Sequence, residues 1–441
     1  MHIQDLEKDN PKTIRSWAMF DWANSAYNLV ITSTIFPAYY TAITFSEDFG
    51  DVVHFFGYPI VNTALSNFAL SIAYLIMAFA LPFISAYADI RGRKKYFMKV
   101  FTYIGALACM GLFFFKLDTL EISIFLYALA AAGYIGGLAF NNSYLPLIAT
   151  VDRQDKVSAQ GFAYGYVGCV TLQLICFVFV LKPEWFGITD ASFPARLSFF
   201  LVGAWWLGFS QIPFRRLPES RPSPIATGLS IMGKVKAEFV GVVKRIQTIP
   251  QIKRFLVPYF FYSMGVQTVM IVATAFGTKE IGLEMSELIA AILLIQLIAI
   301  AGAYVMSKLA KPLGNTMVLI LVVSVWIFIC VAAFYITTKI EFYLLALLVG
   351  AMMGGIQSLS RSTYSKLLPT DIEDTTAFFS FYDVTEKLAI VVGLFSFALI
   401  EQISHNIRYS ALFMSVFFII GIILLISLYR FERSVKKNHH A

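Results

Sequence analysis

The sequence has little charge: 14% of its 441 residues are Asp, Glu, Lys or Arg, against about a quarter in soluble domains. With 58% hydrophobic residues and a mean hydropathy of +0.72, that shortage excludes a soluble enzyme or a nucleic-acid-binding protein. Cysteine is also scarce. Cys109, Cys169, Cys176 and Cys330 all fall inside apolar runs, which excludes a disulfide framework or a thiolate metal site and leaves them as small core residues. The five histidines (His2, His54, His405, His439 and His440) lie in loops or tails without metal-ligand spacing. No Walker loop and no nucleophile-and-base constellation is present, so neither an enzyme nor a cofactor is expected, and energy has to come from a gradient. The N-terminal MHIQDLEKDNPKTIR lacks the short apolar core and cleavage site of a signal peptide, so the first helix is expected to be retained.

Long apolar runs are present in quantity. They cover approximately 17–42, 60–86, 97–115, 122–148, 158–181, 195–213, 254–277, 286–306, 316–338, 342–367, 376–400 and 408–429, each about long enough to cross a ~30 Å hydrocarbon core as a helix. The reading is an all-α polytopic membrane protein with twelve spans. Of the 34 Lys and Arg, six (Lys116, Lys182, Arg196, Lys279, Lys339 and Arg408) fall in loops or at span ends on one side and Lys387 falls deep inside a span. The rest gather on the other side, which the positive-inside rule assigns to the cytoplasm together with both termini.

The longest connection, 214–253, separates six spans from six. This gives an N-terminal bundle over 1–213, a cytoplasmic linker over 214–253, a C-terminal bundle over 254–429 and a cytoplasmic tail over 430–441. Linker residues Arg215, Arg216, Arg221, Lys234, Lys236, Lys244 and Arg245 are basic, while Met232, Val235, Phe239, Val242, Ile246 and Ile249 recur at helical spacing. That pattern predicts an amphipathic helix lying on the inner leaflet. The halves are weakly alike. Ser85–Gly92 lines up with Ser307–Gly314, and Gly136-Gly137 before Asn142-Ser143-Tyr144 parallels Gly354-Gly355 before Ser362-Thr363-Tyr364. Two related six-helix bundles with a site between them form the architecture of alternating-access transporters.

Between the second and third spans stands Asp89-Ile-Arg-Gly-Arg-Lys-Lys95. Gly92 permits a tight turn, Asp89 suits a helix N-terminus, and Arg93, Lys94 and Lys95 are expected to hold the loop at the cytoplasmic surface. The segment resembles the loop motif of the major facilitator superfamily, with Ile90 as an extra residue and Ser85 or Ala86 in place of the leading glycine. The resemblance implies a cytoplasmic gate formed by Asp89, Gly92, Arg93 and Lys94. A narrower resemblance lies in Phe20-Asp-Trp-Ala-Asn-Ser-Ala-Tyr27, Gly354-Gly-Ile-Gln-Ser-Leu-Ser-Arg-Ser-Thr-Tyr364 and Phe378-Phe-Ser-Phe-Tyr-Asp-Val-Thr-Glu-Lys387. These segments resemble the "unknown major facilitator" family, related to vacuolar amino-acid effluxers of fungal autophagy, and imply the major facilitator fold with efflux of amino acids or similar metabolites.

Charges within spans mark a pathway or a pair. Asp21, Arg361 and Asp383 share a depth of roughly 8–10 Å from the cytoplasmic ends of their helices, at 1.5 Å per residue, and an Arg361–Asp383 pair is easy across a short loop. Glu386 and Lys387 lie near the midplane, on one face of the eleventh span with Asp383. Asp21, Asp383 and Glu386 against Arg361 and Lys387 leave one excess negative charge. Desolvation disfavours it, so Glu386 is expected to carry a coupling proton, the alternative being a permanently protonated Glu386 beside a structural Asp383–Lys387 pair. Asn24, Asn28, Asn141, Asn142, Gln267, Gln357 and Ser358 are the expected solute contacts, the Asn141-Asn142 and Gln357-Ser358 doublets first because each adjoins a Gly-Gly; interhelical hydrogen bonding is the alternative for each.

The expectation is a secondary active transporter in a bacterial inner or plasma membrane. It exports an amino acid or similar metabolite by alternating access with proton coupling, acts as a monomer among membrane lipids, and binds no nucleic acid or metal. A lipophilic-compound or lipid exporter of the same fold, or a non-transporting receptor or scaffold, is the rival reading.

Overall fold

A computed structural model describes residues 7–47, 50–219, 231–369 and 375–439. Arg221, His2 and His440 lie outside them, as do the side chains of Met232 and Lys234. The chain is almost wholly helical, and eleven of the described helices are long and apolar enough to cross a membrane. The twelfth expected span, 17–42, is not one α-helix. It runs as α1 (Pro11–Ala26), a π-helical stretch (Tyr27–Thr34) and α2 (Ile35–Thr44). The hydroxyls explain part of the widening: Ser33 Oγ donates to the Asn28 carbonyl at 2.9 Å and Thr34 Oγ1 to the Leu29 carbonyl at 2.8 Å, each reaching back five residues. Such bonds compete with the regular helical ladder, and the i→i+5 pattern of a π-helix brings the hydroxyl and that carbonyl together.

The chain divides into two compact units. The first holds 11–142 and 164–219 of the described residues. After α2 comes an antiparallel hairpin, β1 (Val52–Phe55) and β2 (Tyr58–Val61), paired from Val52↔Val61 to Phe55↔Tyr58. Then follow α3 (Asn62–Arg91), α4 (Lys94–Gly111), α5 (Leu120–Asn142) and α8 (Phe193–Arg216). Asn62 ties the hairpin to α2, with its Nδ2 on Thr44 Oγ1 at 2.9 Å and its carbonyl accepting from the Tyr40 hydroxyl at 2.8 Å. Helix α3 stops at Gly92, whose φ of 63° lets the Gly92 and Arg93 amides turn back onto Asp89 and Ala88, as the turn expected there requires. Aromatic stacking fills the interior, with Phe36 and Tyr127 4.0 Å apart.

The second unit holds 7–10, 143–163 and 231–439 of the described residues. It contains α6 (Leu145–Ile148), the start of α7 (Gln154–Leu181), α9 (Ile231–Thr248), α10 (Pro250–Ile281), α11 (Met285–Leu313), α12 (Asn315–Tyr335), α13 (Lys339–Leu367), α14 (Thr375–Ser404) and α15 (Ile407–His439). Within the linker Ile231–Thr248 is helical, α9, and protein covers part of its apolar face. Val235 and Val242 are buried, Phe239 stacks on Phe381 of α14 at 5.8 Å, and Lys236, Lys244 and Arg245 point outward. Phe239, Ile246 and Ile249 are half-buried and Val240 is exposed, so α10 and α14 cover this helix only in part.

Glycines set how closely helices approach. A Cβ on Gly133 of α5 would lie 2.5 Å from Gly105 Cα of α4, and one on Gly354 of α13 would strike the Ala299 carbonyl of α11. Gly302 and Ala351 repeat that contact one turn along. The Gly-Gly pairs expected to admit a solute serve helix packing here: Gly355 abuts Met306, Gly136 abuts Phe101 and Gly137 abuts Phe20. Gly354→Ala should therefore lower stability by about 1–3 kcal/mol, as overpacking does, whereas Gly208→Ala, with nothing within 4 Å, should leave it unchanged. Thermal unfolding in detergent checks the pair.

Candidate functional site

In the second unit Arg361 on α13 is 2% exposed. Its Nε donates to Ser158 Oγ at 3.0 Å and a terminal nitrogen to the Ser158 carbonyl at 2.8 Å. The guanidinium also lies 4.2 Å over the Phe162 ring. A planar fork can take a hydroxyl and a carbonyl of one residue together, which an ammonium on a flexible stem does less well. Ser158 Oγ passes the chain on by donating to the Ser358 carbonyl at 2.8 Å. Asp383 on α14 is buried to the same degree as Arg361.

Three residues along α14, Glu386 is half-buried. Gln267 Nε2 of α10 donates to its Oε1 at 2.8 Å, and Lys387 Nζ reaches its Oε2 at 2.7 Å. Adjacent helical residues leave the axis about 100° apart and do not naturally face each other, so both side chains bend to meet. Tyrosines surround this pair: Tyr259 stacks on Tyr382 at 4.4 Å and meets Tyr262 edge-on at 5.6 Å, while the Tyr262 and Ser360 hydroxyls share a 2.7 Å hydrogen bond. Tyr382 stands four residues before Glu386 on α14, on the same face of the helix.

In the first unit Asp21 is 4% exposed and accepts from Asn141 Nδ2 at 3.3 Å, while Trp17 Nε1 donates to the Asn141 carbonyl at 2.8 Å. Asn24 is buried, with an Oδ1 that finds no hydrogen-bond partner among the described residues, and Asn142 is buried. Asn28 is exposed and its carbonyl is taken by Ser33. In the second unit Gln357 is half-buried, and the Ser358 hydroxyl is turned to the Gly355 carbonyl at 3.2 Å. The α3–α4 loop departs from expectation at one residue. Lys94 was expected at the surface, but it has no exposed area and its Nζ lies 3.9 Å from Asp89 Oδ1, also buried. Arg93 stays exposed, 5.9 Å above Tyr96.

One cluster escaped the sequence reading. Asn315, directly after Gly314, donates to Asp155 Oδ1 at 2.7 Å and Thr363 Oγ1 at 3.0 Å, and Lys366 Nζ meets Asp155 Oδ2 at 2.5 Å and Asn315 Oδ1 at 3.0 Å. The hint in the sequence was the alignment of Gly92 with Gly314, which makes the next residue, Asn315, the counterpart of Arg93.

The match to known proteins follows this helical plan over nearly the whole chain. The family model described as "Vacuole effluxer Atg22 like" matches residues 9–439. The chain belongs to the Atg22-like family. Among its relatives, an uncharacterized MFS-type transporter of Bacillus subtilis, YxiO, is 28% identical over 94% of each chain. Autophagy-related protein 22 of Pichia angusta is 25% identical over 81% of this chain and 73% of its own, and autophagy-related protein 22-1 of Aspergillus niger is 26% identical over 62% of this chain and 46% of its own. Among solved structures, the Escherichia coli fucose:proton symporter superposes with a TM-score of 0.68 at 12% identity, covering 95% of this chain and 98% of its own. A bacterial homologue of the iron transporter ferroportin gives 0.66 at 13% identity over 96% and 100%. The fold is that of the major facilitator superfamily, and family and fold are those of transporters rather than enzymes.

The Arg361 geometry carries a test. Ser158→Ala should lose about 1.5–3 kcal/mol, the scale of a hydrogen bond to a charged group, and Arg361→Lys should also lower the melting temperature because it loses the fork. The double variant should unfold close to the worse single one; additive losses would mean that Arg361 and Ser158 do not act together.

Proposed function

We propose that this Atg22-like transporter exports a small zwitterionic metabolite of the amino-acid class, driven by protons through Glu386. The observation that supports this most is the Glu386–Lys387 pair, braced by Gln267 and edged by tyrosines. Lys387 is an ammonium that the carboxylate of a zwitterion would take up once Glu386 releases it, and a pair between adjacent residues is one that a solute can open. A lipophilic cargo or a silent receptor would have no use for such a pair so deep in a helix.

Coupling follows from charge. An ionised Glu386 holds Lys387; a protonated one releases it to the solute carboxylate or to Asp383, so protonation and solute occupancy exclude one another or combine according to access state. Arg361 with Asp383 braces α13 and α14 in this reading, Asp21 with Asn141 is its counterpart in the first unit, and Asp89, Gly92, Arg93 and Lys94 form the cytoplasmic gate. Asn24, Asn28, Asn142, Gln357 and Ser358 complete the solute-facing set. The membrane is the bacterial inner or plasma membrane with both termini inside.

In proteoliposomes, Glu386→Gln keeps the volume and fixes the neutral form. It should retain solute exchange and lose accumulation driven by a pH gradient. Undiminished, pH-dependent accumulation by this variant would make Glu386 structural and turn attention to Asp21. For orientation, a cysteine placed at the exposed positions 244 and 51 should be labelled from the inside and the outside respectively. Labelling of both from one side would overturn the assignment.

A further inference from the structure

Three described residues other than glycine have positive φ: Asp9 at 66°, Phe56 at 49° and His405 at 52°. Two of them have local reasons. Asp9 places its carboxylate on the Thr150 amide and hydroxyl, at 3.1 and 2.7 Å. His405 directly follows α14 and closes it with a 2.8 Å bond to the Glu401 carbonyl. Phe56 has its amide tied to Glu121 Oε1 at 3.4 Å, but its side chain has no such reason. It and Gly57 (φ 83°) form the two-residue turn between β1 and β2, where Asn, Asp or Gly would meet the demand for positive φ at both positions far more easily. A bulky side chain in that region is an outlier, and an outlier held against local preference points to a use.

The ring gains little inside the protein to offset this. It meets Phe55 edge-on at 4.8 Å but is 73% exposed, and Tyr58 across the turn is also 73% exposed. The hairpin is nevertheless firmly seated: Val53 is buried, and the Asn62 amide is bonded to the Asp51 carbonyl at 2.8 Å at the hairpin base. The exposed aromatics are therefore presented on a fixed support.

The level of the tip identifies what it meets. The Phe56 amide lies 3.4 Å from Glu121 Oε1, and Glu121 is the second residue of α5. Just beyond it on α5, Ile122 and Phe125 are each 65% exposed, and Phe114 and Leu117 before it are 71% and 54% exposed. Large apolar side chains exposed near the end of a helix long and apolar enough to cross a bilayer are suited to contact with lipid. The tip thus stands at the rim where the lipid-facing surface of the first unit begins, and Tyr58 has the apolar body and polar end that suit this boundary.

We infer that the Phe56–Tyr58 tip of the hairpin is a membrane-interface anchor that inserts into the headgroup and acyl boundary of the adjoining leaflet. It would fasten the connection between α2 and α3 to the lipid surface, a role separate from solute binding and independent of the proposed cargo.

The test uses the full-length protein in phosphatidylcholine and phosphatidylglycerol vesicles, with a single environment-sensitive fluorophore on Phe56→Cys and, as reference, on Asp51→Cys, in a background lacking the four buried native cysteines. The label at 56 should be quenched by bromine-bearing lipids several-fold more than the label at 51, and less by aqueous iodide. Quenching at 56 by iodide alone would overturn the inference, because the tip would then stand in water. Protection from both quenchers would also overturn it, since protein would then cover the tip. Tyr58→Cys carries the same labelling if Phe56→Cys fails to fold. Phe56→Asn separates turn from anchor: with Tyr58→Cys labelled, it should keep the melting temperature in detergent and reduce bromolipid quenching in vesicles. Unreduced quenching would show that Phe56 contributes no insertion.

Discussion

A polar group at the depth of a transmembrane helix has no bulk water to turn to, and the chain has to supply its partner. The arrangement of both units follows from that constraint. Arg361 is satisfied by the hydroxyl and carbonyl of Ser158, Asp21 by Asn141, and Glu386 by Gln267 and Lys387. Each solution draws on a second helix or segment, so each polar residue also fixes a packing contact. The sequence can therefore place charge inside spans without leaving it stranded.

Close helix approach is the other half of the same arrangement. Apolar side chains gain little from each other in hydrocarbon, where lipid tails are equally apolar, so small residues that let backbones meet carry much of the association. Gly105 with Gly133, and Gly302 and Gly354 with α11 and α13, do this within their respective units. The polar pairs and the glycine contacts lie on the same helices, so α13 is both the most closely packed against α11 and the bearer of Arg361.

Much of the fold was legible because an apolar run of about twenty residues has few alternatives in a chain this poor in charge. Eleven runs reappear as long apolar helical stretches, the one at 122–148 with a break between α5 and α6. The first did not, because Ser and Thr hydroxyls bending back on the ladder leave no mark in hydropathy. The amphipathic period of α9 was visible, but periodicity reports an apolar face and not what covers it, and α10 and α14 cover part of it here. Lys94 illustrates the same limit: a basic loop residue looks solvated until Asp89 is seen beside it in the interior. Asp155, Asn315 and Lys366 were missed since each is an ordinary end-of-helix polar residue in sequence, and only the folded second unit gathers them.

The π-helical stretch in the first span has a geometric consequence. Every bond that reaches back five residues instead of four adds a residue to its turn, and one residue corresponds to about 100° of rotation in an α-helix. The face that carries Asp21 and Asn24 in α1 is accordingly out of phase with the face that carries Tyr39 and Tyr40 in α2. A helical wheel drawn straight through 11–44 would assign the residues after Thr34 to the wrong side. Alignments of this span need separate registers before and after the wide turns, and a one-residue gap between relatives there is a change of winding rather than a loss of the helix.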